Sequence, residues 1–307
     1  MKKSFNKIFN LFIVALFLSI ESYSQQDPQY TQYMYNTMSI NSAYTGQREM
    51  MSISGLYRTQ WVGIDGAPNT LTLGIHSPMK NENVGIGLNI ISDQIGPVRE
   101  DYVDLNFSYT VQFTESTELS FGLKAGIHNL SSDWSRGAAF DKTDIAYNEN
   151  ISLFSPTLGA GILFHSSNWY LGLSSPNFLT TKHYNDFKQS IASERLHYYL
   201  IGGYVFDLDS SIKLKPAFLL KTVSGSPAVV DLSMNALFNS RFTFGMGYRW
   251  DDSISGLTGF QLNDTLFIGY AYDYNNSIGT EYTGGTHEIM LRFELETLNK
   301  ILSPRFF

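Results

Sequence analysis

The sequence has no cysteine and few charged residues, which make up 16% of its 307 residues, against roughly 25% in ordinary soluble domains. The lack of cysteine excludes a lipid-modified N-terminus and fits an exported chain that avoids stray oxidation. Long apolar runs are also missing, because the run near the start, Leu11–Ile20, covers about half of the ~20 residues that a spanning helix needs. Aromatic residues, in contrast, reach 15%. This balance indicates a surface that water only partly solvates.

The first 24 residues are typical of a secretory signal peptide. Three lysines precede the apolar run, and Ser22 and Ser24 stand where a signal peptidase reads the chain. We therefore predict a signal peptide at 1–24 and export of the mature chain; a retained anchor is the weaker alternative. Without the signal peptide, which carries three lysines and one glutamate, the net charge of −7 becomes −9. This acidity excludes a nucleic-acid partner, because phosphate binding needs a basic patch.

Beyond residue 50 the chain alternates apolar and polar residues with a period of two, which indicates strands buried on one face. The clearest example is 101–113, "DYVDLNFSYTVQF", with an apolar face from Val103 to Phe113 and a polar face from Asp104 to Gln112. Most such runs have about ten residues, the length that a tilted strand needs to cross a membrane. Fourteen strands are predicted, at 52–61, 69–77, 83–92, 100–113, 117–130, 153–165, 168–174, 196–207, 211–222, 229–238, 241–250, 253–262, 265–274 and 284–295.

The predicted connections are short after even-numbered strands and longer after odd-numbered ones, as at 131–152 and 175–195. This asymmetry is typical of an outer-membrane barrel, which has tight periplasmic turns and long outer loops. The tight Asp251-Asp252 connection departs from the pattern. We predict an all-β fold, a transmembrane outer-membrane β-barrel of about 14 antiparallel strands. The barrel would span 51–296, with an N-terminal plug or periplasmic segment at 25–50 and a C-terminal periplasmic tail at 297–307.

A soluble β-sandwich or a secreted β-solenoid is the alternative fold, since both also alternate. Either would have to bury fourteen apolar faces in one unusually large core. The aromatic residues also favour the membrane barrel, because several stand near predicted strand ends, where a membrane girdle places them. They are Trp61, Trp169, Trp250, Tyr272 and Tyr274.

No enzyme activity and no cofactor are predicted. The six histidines lack HxxH or HExxH spacing. A lipid-hydrolysing barrel would need a serine and a histidine together near one rim; His287 has the required parity, but no neighbouring strand supplies an obvious serine. The loop 141–150, "DKTDIAYNEN", gathers oxygen ligands without the DxDxDG order of a calcium loop. We predict a solvated loop there, with calcium binding as the alternative.

Glycine pairs recur within the predicted strands, at 85 and 87, 159 and 161, and 245 and 247. None has the third glycine and following helix of a nucleotide-binding loop. They therefore predict places where another backbone packs closely or where the wall bends.

Charged residues of the later strands share the parity of the polar face. We predict that they point into the lumen and form a cross-strand ion network, because buried charges must be paired; an open porin lumen is the alternative. The candidates are Lys213, Lys215, Asp231, Arg241, Arg249, Glu288, Arg292 and Glu294, and Lys221 and Asp273 share their parity.

The stretch "QQDPQYTQYMYNTMSINSAYTG", 25–46, has neither a strand nor a helix period. It is rich in Tyr, Gln and Asn, which can pair with a polar barrel interior. We predict that it starts on the periplasmic side and plugs the lumen or caps its periplasmic mouth. The alternative is that its tyrosines only pack inside the barrel wall. The candidate partner or plug contacts are Tyr30, Tyr33, Tyr35, Asn41, Tyr44 and Trp61.

Several blocks of the sequence carry a family resemblance. They are "DPQYTQYMYNTMSINSAYTG", "YRTQWVGIDGAPNTLTLGIHSP", "VGIGLNIISDQIGP", "SLFSPTLGAGILF", "WYLGLSSPNFL" and the ending "SPRFF". In order and spacing they resemble the PorP/SprF family of Bacteroidota outer-membrane proteins over essentially the whole mature chain. The family opening reads closer to N-P-x-x-x-N-P-A-Y-A-G, and this chain has Thr37, Ser42 and Thr45 where Pro, Pro and Ala are common.

The resemblance implies an outer-membrane barrel associated with type IX secretion. Similar proteins hold large secreted adhesins at the cell surface, some of them used in gliding, or link the machinery to periplasmic lipoproteins. The implied partners are a large secreted surface protein, secretion components, a periplasmic lipoprotein and outer-membrane lipid. The implied function is to anchor or help export that protein. A plugged-barrel transporter or porin for hydrophobic or small solutes is the alternative.

Overall fold

The computed structural model describes residues 29–48, 50–133, 150–179, 196–223, 226–275 and 283–295. The predicted signal peptide, the C-terminal tail, His183 and all of the 141–150 loop except Asn150 lie outside these residues. The strands of the described part are β1 (Met51–Thr59), β2 (Asn69–Pro78), β3 (Val84–Ile95), β4 (Val98–Gln112), β5 (Thr117–Ser132), β6 (Ile151–Ser166), β7 (Trp169–Ser175), β8 (His197–Tyr204), β9 (Phe206–Asp207), β10 (Ile212–Val223), β11 (Val229–Phe238), β12 (Phe242–Arg249), β13 (Ser253–Gln261), β14 (Leu266–Asn275) and β15 (Thr286–Leu295).

The strands form one closed antiparallel sheet. Each pairs with its neighbours in chain order, and β1 pairs with β15 from Met51↔Leu295 to Thr59↔His287. The two-residue β9 continues β8 in the same register against β10, after an interruption beside Pro216, which has no N–H to donate. The described residues therefore build a barrel of 14 strands, as predicted. The predicted strand bounds differ from the observed ones by no more than three residues.

The two rims of the barrel differ. One carries the short connections 79–83, 113–116, 167–168, 208–211, 239–241 and 262–265, together with the start of β1 and the end of β15. Short turns face the periplasm in outer-membrane barrels, so we call this the periplasmic rim and the opposite one the outer rim. Two outer connections are also tight, Gly96-Pro97 and 250–252. The tight turn at Asp251, which adopts a positive φ of 61°, is therefore real and does not change the strand count.

The barrel is apolar outside and polar inside. Leu105, Leu123 and Met246 are 65%, 60% and 70% exposed at mid-strand, whereas the polar Asp104 and Asn106 are buried. A soluble sandwich would bury the apolar face, so that alternative fold is excluded. The helical turns within the described residues have at most four residues, and none of them could span a bilayer as a helix.

Candidate functional site in the barrel lumen

The space inside the barrel is occupied by the chain's own residues 29–48, which we call the lumen segment. It consists of a 3-10 turn (Tyr33–Tyr35), one α-helical turn (Thr37–Ile40) and a second 3-10 turn (Ser42–Tyr44). From Tyr30 to Thr45 every residue except Tyr35 is buried. A segment this short cannot bury its own side chains, so the inner face of the wall supplies the burial.

The first turn of the lumen segment is held by a buried cluster of three charges, which we call the outer cluster: Arg58, Asp273 and Glu288. Arg58 donates to Asp273 at 2.9 Å and to Glu288 at 3.1 Å, and each side chain is 2% exposed or less. The Glu288 carboxylate accepts the backbone N–H of Gln32 at 2.8 Å and that of Thr31 at 3.0 Å. The Thr31 hydroxyl donates to Asp273 at 2.6 Å. The Glu288 carboxylate thus binds the segment's backbone, whereas Asp273 and Arg58 bind the Thr31 hydroxyl.

A second ion pair lies beside the outer cluster. Arg249 donates to Asp231 at 2.7 Å, and the Gln29 carboxamide donates to the other oxygen of Asp231 at 2.6 Å. Arg249 also reaches Asp252 in the outer turn at 3.2 Å. Tyr33 lies 3.3 Å from Ser233 on the same strand as Asp231. The start of the lumen segment is therefore attached to β11 as well as to β14 and β15.

The middle of the lumen segment is bound through backbone carbonyls of the segment and of the barrel wall. The Asn41 side-chain amide donates to the Ile162 carbonyl at 3.1 Å, and its side-chain Oδ1 accepts the Ala43 N–H at 2.9 Å. The second bond is an Asx turn, a local reason for the chain to fold back at this position. The Ser174 hydroxyl donates to the Ile40 carbonyl at 2.9 Å, and the Ser108 hydroxyl donates to the Thr45 carbonyl at 2.6 Å.

The end of the lumen segment carries a third charged group. Arg48 forms a short ion pair with Glu294, and Arg292 lies 3.1 Å from the same carboxylate. The Arg292 guanidinium also stacks over the rings of Phe267 and Tyr35, at 4.8 and 5.6 Å. Such cation–aromatic contacts strengthen where water is excluded. The segment is thus fixed by charge at both of its ends.

The lumen segment runs from the outer side of the barrel to the periplasmic side. Gln29 and Thr31 meet Asp231, Asp273 and Glu288, all near the outer ends of their strands, whereas Arg48 meets the periplasmic end of β15. The prediction that the segment starts on the periplasmic side is therefore wrong for its described part. The physical reason is that the carboxylates able to accept its first amides lie in the outer third of the lumen.

Glycines of the wall make room for the segment. A Cβ at Gly122 would overlap the backbone of Ser42 and Ala43, and a Cβ at Gly85 would overlap the Thr45 carbonyl. A Cβ at Gly161 would overlap the Asn41 amide. Close approach of another backbone, predicted for the glycine pairs, is thus observed at Gly85 and at Gly159, which faces the Pro176 backbone. The remaining glycines of the pairs face side chains: Gly87 faces Met38, Gly161 Asn41, Gly245 Asn235, and Gly247 Ser255.

Replacing Gly122 by alanine is expected to destabilise the barrel by about 1–3 kcal/mol, because the added methyl group collides with backbone that is itself buried. The matched control is Gly55→Ala, since a Cβ at Gly55 meets nothing within 4 Å. The measurement is the urea midpoint of unfolding in detergent for both variants. Equal midpoints would contradict close packing between the segment and β5.

The structure places the predicted site residues in two groups. Tyr30, Tyr33, Tyr35, Asn41 and Tyr44 lie in the lumen segment, and Tyr30 meets Thr72 at 2.8 Å. Trp61 is 40% exposed at the outer rim, away from the others, with a positive φ of 47°.

The predicted lumen charges also fall into two groups, one inside the lumen and one at the periplasmic rim. Those that lie inside are Lys215, Lys221, Asp231, Arg249, Asp273, Glu288, Arg292 and Glu294.

Two predicted lumen charges lie at the periplasmic rim instead. Lys213 is 41% exposed and pairs with the still more exposed Asp207 at 3.1 Å. Arg241 is exposed in the turn before β12. Both keep the inward parity, but they sit where the strand reaches water. Parity alone does not give the height of a residue along the barrel axis.

Sequence reasoning missed several lumen residues. Arg58, which joins Asp273 to Glu288, has inward parity on β1 and could have been found from the same alternation. Asp104 and Lys124 were assigned to the polar face, but their ion pair, with its two atoms 2.9 Å apart, was not predicted. The backbone amides of Thr31 and Gln32, in contrast, leave no signal in the sequence.

The described histidines contact separate partners in the wall and the lumen segment. His287 bonds to the Tyr270 hydroxyl at 2.7 Å, His165 lies 3.2 Å from Ser120, and His128 stacks on Tyr102. His76 accepts the Gly46 N–H at 3.1 Å. Within the part of the chain that the structure describes, no three His, Cys, Asp or Glu side chains are placed to hold a metal ion.

The closed ring of 14 strands, apolar outside and polar inside, defines an outer-membrane β-barrel protein. The sequence model of the family "Type IX secretion system membrane protein PorP/SprF" matches residues 22–293. This chain therefore belongs to the PorP/SprF family. None of the curated proteins matches it.

The fold also resembles solved outer-membrane proteins of low sequence identity. The Ralstonia pickettii toluene transporter TbuX is 9% identical, with a TM-score of 0.51 over 84% of this chain and 93% of that one. Omp33 of Acinetobacter baumannii is 8% identical, with a TM-score of 0.48 over 80% and 98%. A Pseudomonas aeruginosa FadL homologue is 10% identical, with a TM-score of 0.44 over 80% and 89%. The likeness to TbuX supports the fold alone.

Proposed function

We propose that this protein is a non-enzymatic, plugged barrel of the type IX secretion system that anchors or helps export a large cell-surface protein of the gliding or adhesin type. The observation that carries the proposal is the occupied lumen. The segment from Gln29 to Arg48 is hydrogen-bonded or ion-paired to the wall near both rims. A barrel filled by its own chain is better suited to hold a partner than to pass a solute.

The bonds of the lumen segment support a plug that stays in place. Its first turn donates hydrogen bonds to Asp273 and Glu288, which are almost fully buried, and its departure would remove these donors from both carboxylates. A solute path would require the segment to leave or to move aside. The alternative of a transporter for small or hydrophobic solutes therefore needs a large rearrangement.

The outer rim offers a firm surface for a partner. The connection between β1 and β2 presents Trp61, Val62 and Ile64 to solvent, each at least 39% exposed. Backbone bonds hold this connection: Val62 exchanges bonds with Gly284 and Gly285, and Gly96 donates to the Gly66 carbonyl. Exposed aromatic and aliphatic side chains on a loop that is held by backbone hydrogen bonds are suited to protein recognition. The periplasmic turns are the corresponding surface for secretion components and a periplasmic lipoprotein.

The proposal is tested in a Bacteroidota strain whose copy of the gene is deleted. Surface proteins are biotinylated on intact cells and identified by mass spectrometry. We expect at least one large secreted protein to leave the surface and to return when the intact gene is restored. A complementing gene with Trp61→Ala and Ile64→Ala is expected to restore the barrel but less of that protein.

One pattern of results would favour the transporter instead. If the surface proteins are unchanged, and the purified barrel alone takes up toluene or a small sugar into liposomes, then the anchoring role is wrong. Uptake by the intact protein would also show that the lumen segment moves aside without any partner.

A further inference from the structure

The outer third of the lumen contains a charged site built for a polypeptide backbone. The Glu288 carboxylate uses both of its oxygens on two successive backbone N–H groups, while Arg58 binds one of the same oxygens. Asp273 accepts a hydroxyl from the first of these two residues, Thr31. Side chains of the occupant add the Thr31 hydroxyl on Asp273, the Gln29 carboxamide on Asp231 and the Gln32 carboxamide on the Glu288 carbonyl.

This site needs an occupant. Glu288, Asp273 and Arg58 are almost fully buried, and they carry two negative charges against one positive. Buried carboxylates are costly unless they are hydrogen-bonded. When residues 29–32 leave, either water or another chain must donate to the same oxygens.

The two ends of the lumen segment differ in how firmly they are held. Near its periplasmic end the backbone packs against Gly122 and Gly85, where there is no space for a Cβ, and it continues directly into β1. At its other end Gln29 is only half-buried, at the outer side of the lumen. Detachment of residues 29–32 therefore breaks polar contacts and exposes the buried Tyr30 and Gln32, without disturbing the backbone packing at Gly122 and Gly85.

We propose that the site formed by Glu288, Asp273, Arg58 and Asp231 is an exchangeable receptor for an extended polypeptide segment that arrives from the cell-surface side. In this structure the chain's own residues 29–32 occupy it. A competing segment needs two successive residues whose backbone N–H groups are free to donate to Glu288. The first of them should carry a hydroxyl group, as Thr31 does, and a residue with an amide side chain should stand two positions before it, as Gln29 does. The proposal rests on the proposed function, because it identifies how a surface protein would engage the plugged barrel.

The position of the segment's outer end is tested on intact cells carrying Gln29→Cys. The chain has no cysteine of its own, so labelling by a membrane-impermeant maleimide reports this position alone. The control is Asn263→Cys in an exposed periplasmic turn. We expect the first variant to be labelled on intact cells and the second only after the outer membrane is permeabilised. Labelling of Gln29→Cys only after permeabilisation would overturn the proposal.

Exchange is tested with a fluorescein-labelled peptide of the sequence of residues 29–36, QYTQYMYN, and a purified barrel that lacks residues 25–36. We expect saturable binding in fluorescence anisotropy. A peptide with proline in place of Thr31 and Gln32 offers neither N–H group and should not bind. Glu288→Gln in the truncated barrel is expected to weaken binding by about tenfold or more, because charge-assisted hydrogen bonds are lost.

These results separate the receptor from the proposed function. If the truncated barrel folds, as judged by its gel mobility, and neither peptide binds, the receptor proposal is wrong even if surface proteins are lost in the deletion strain. If the truncated barrel does not fold, the labelling of full-length Gln29→Cys decides. Peptide binding with unchanged surface proteins would support the receptor and contradict the anchoring role.

Discussion

A variant that lacks residues 27–44 is expected to conduct ions in planar bilayers, whereas the intact protein stays closed. The deletion removes the turns that fill the lumen and leaves a wall with a polar inner face. Fourteen strands lie between filled eight-stranded barrels and the water-filled porins of sixteen to eighteen strands, so we expect an increase in current of on the order of tenfold or more. The same variant is expected to lose retention of its surface partner if the segment also contributes to docking.

The control for this deletion is Trp61→Ala, which alters the outer rim and leaves every contact of the lumen segment intact. It should be as silent as the unmodified protein. Both variants are compared for heat-modifiable gel mobility, so that a conducting barrel can be told from an unfolded one. If the deletion variant folds and stays closed, the segment is not the barrier and only tethers the chain.

The second large effect is expected for Arg58→Ala, with a loss of unfolding free energy of about 3–5 kcal/mol. Arg58 binds both Asp273 and Glu288 and also donates to the Thr31 hydroxyl at 2.9 Å. Its removal leaves two carboxylates close together without a cation in a site that is almost fully buried. The measurement is urea unfolding in detergent, followed by tryptophan fluorescence.

The matched control for Arg58→Ala is Arg99→Ala. Arg99 also pairs with a carboxylate, Asp101 at 3.0 Å, but its side chain is 55% exposed. Exposed pairs of this kind contribute about 0–1 kcal/mol. Similar losses in the two variants would mean that water reaches the outer cluster, and the lumen would then be far less tightly filled than the contacts indicate.

The wall of the barrel was predictable because its signal is local. Successive side chains of a strand point to opposite faces, so Leu105 and Asp104 had to lie on different sides whatever the rest of the chain does. Burial of the polar face and exposure of the apolar face then followed from the membrane. The short interruption of the strand at Val205 was not predicted, because it depends on the pairing with β10, which brings Pro216 beside it.

The lumen site was predictable only in part. The parity of Glu288, Arg292 and Glu294 gave their direction, yet it did not separate these buried residues from Lys213 and Arg241 at the rim. The tyrosines of the opening stretch were recognised as contacts, but their partners were not. Arg58 has inward parity on β1, so the same alternation could have identified it as a lumen residue.

The strands, their number, their two faces and the family follow from the amino-acid sequence alone. The direction of the opening segment, from the outer side to the periplasmic side, and the charges that bind it follow from the folded barrel. Thr31 and Glu288 are 257 residues apart, and they meet because β1 and β15 close the ring in one register. A shift of that register by one residue would turn Glu288 toward the lipid. Alternation is fixed residue by residue through backbone geometry, whereas this contact exists only after the whole barrel has closed.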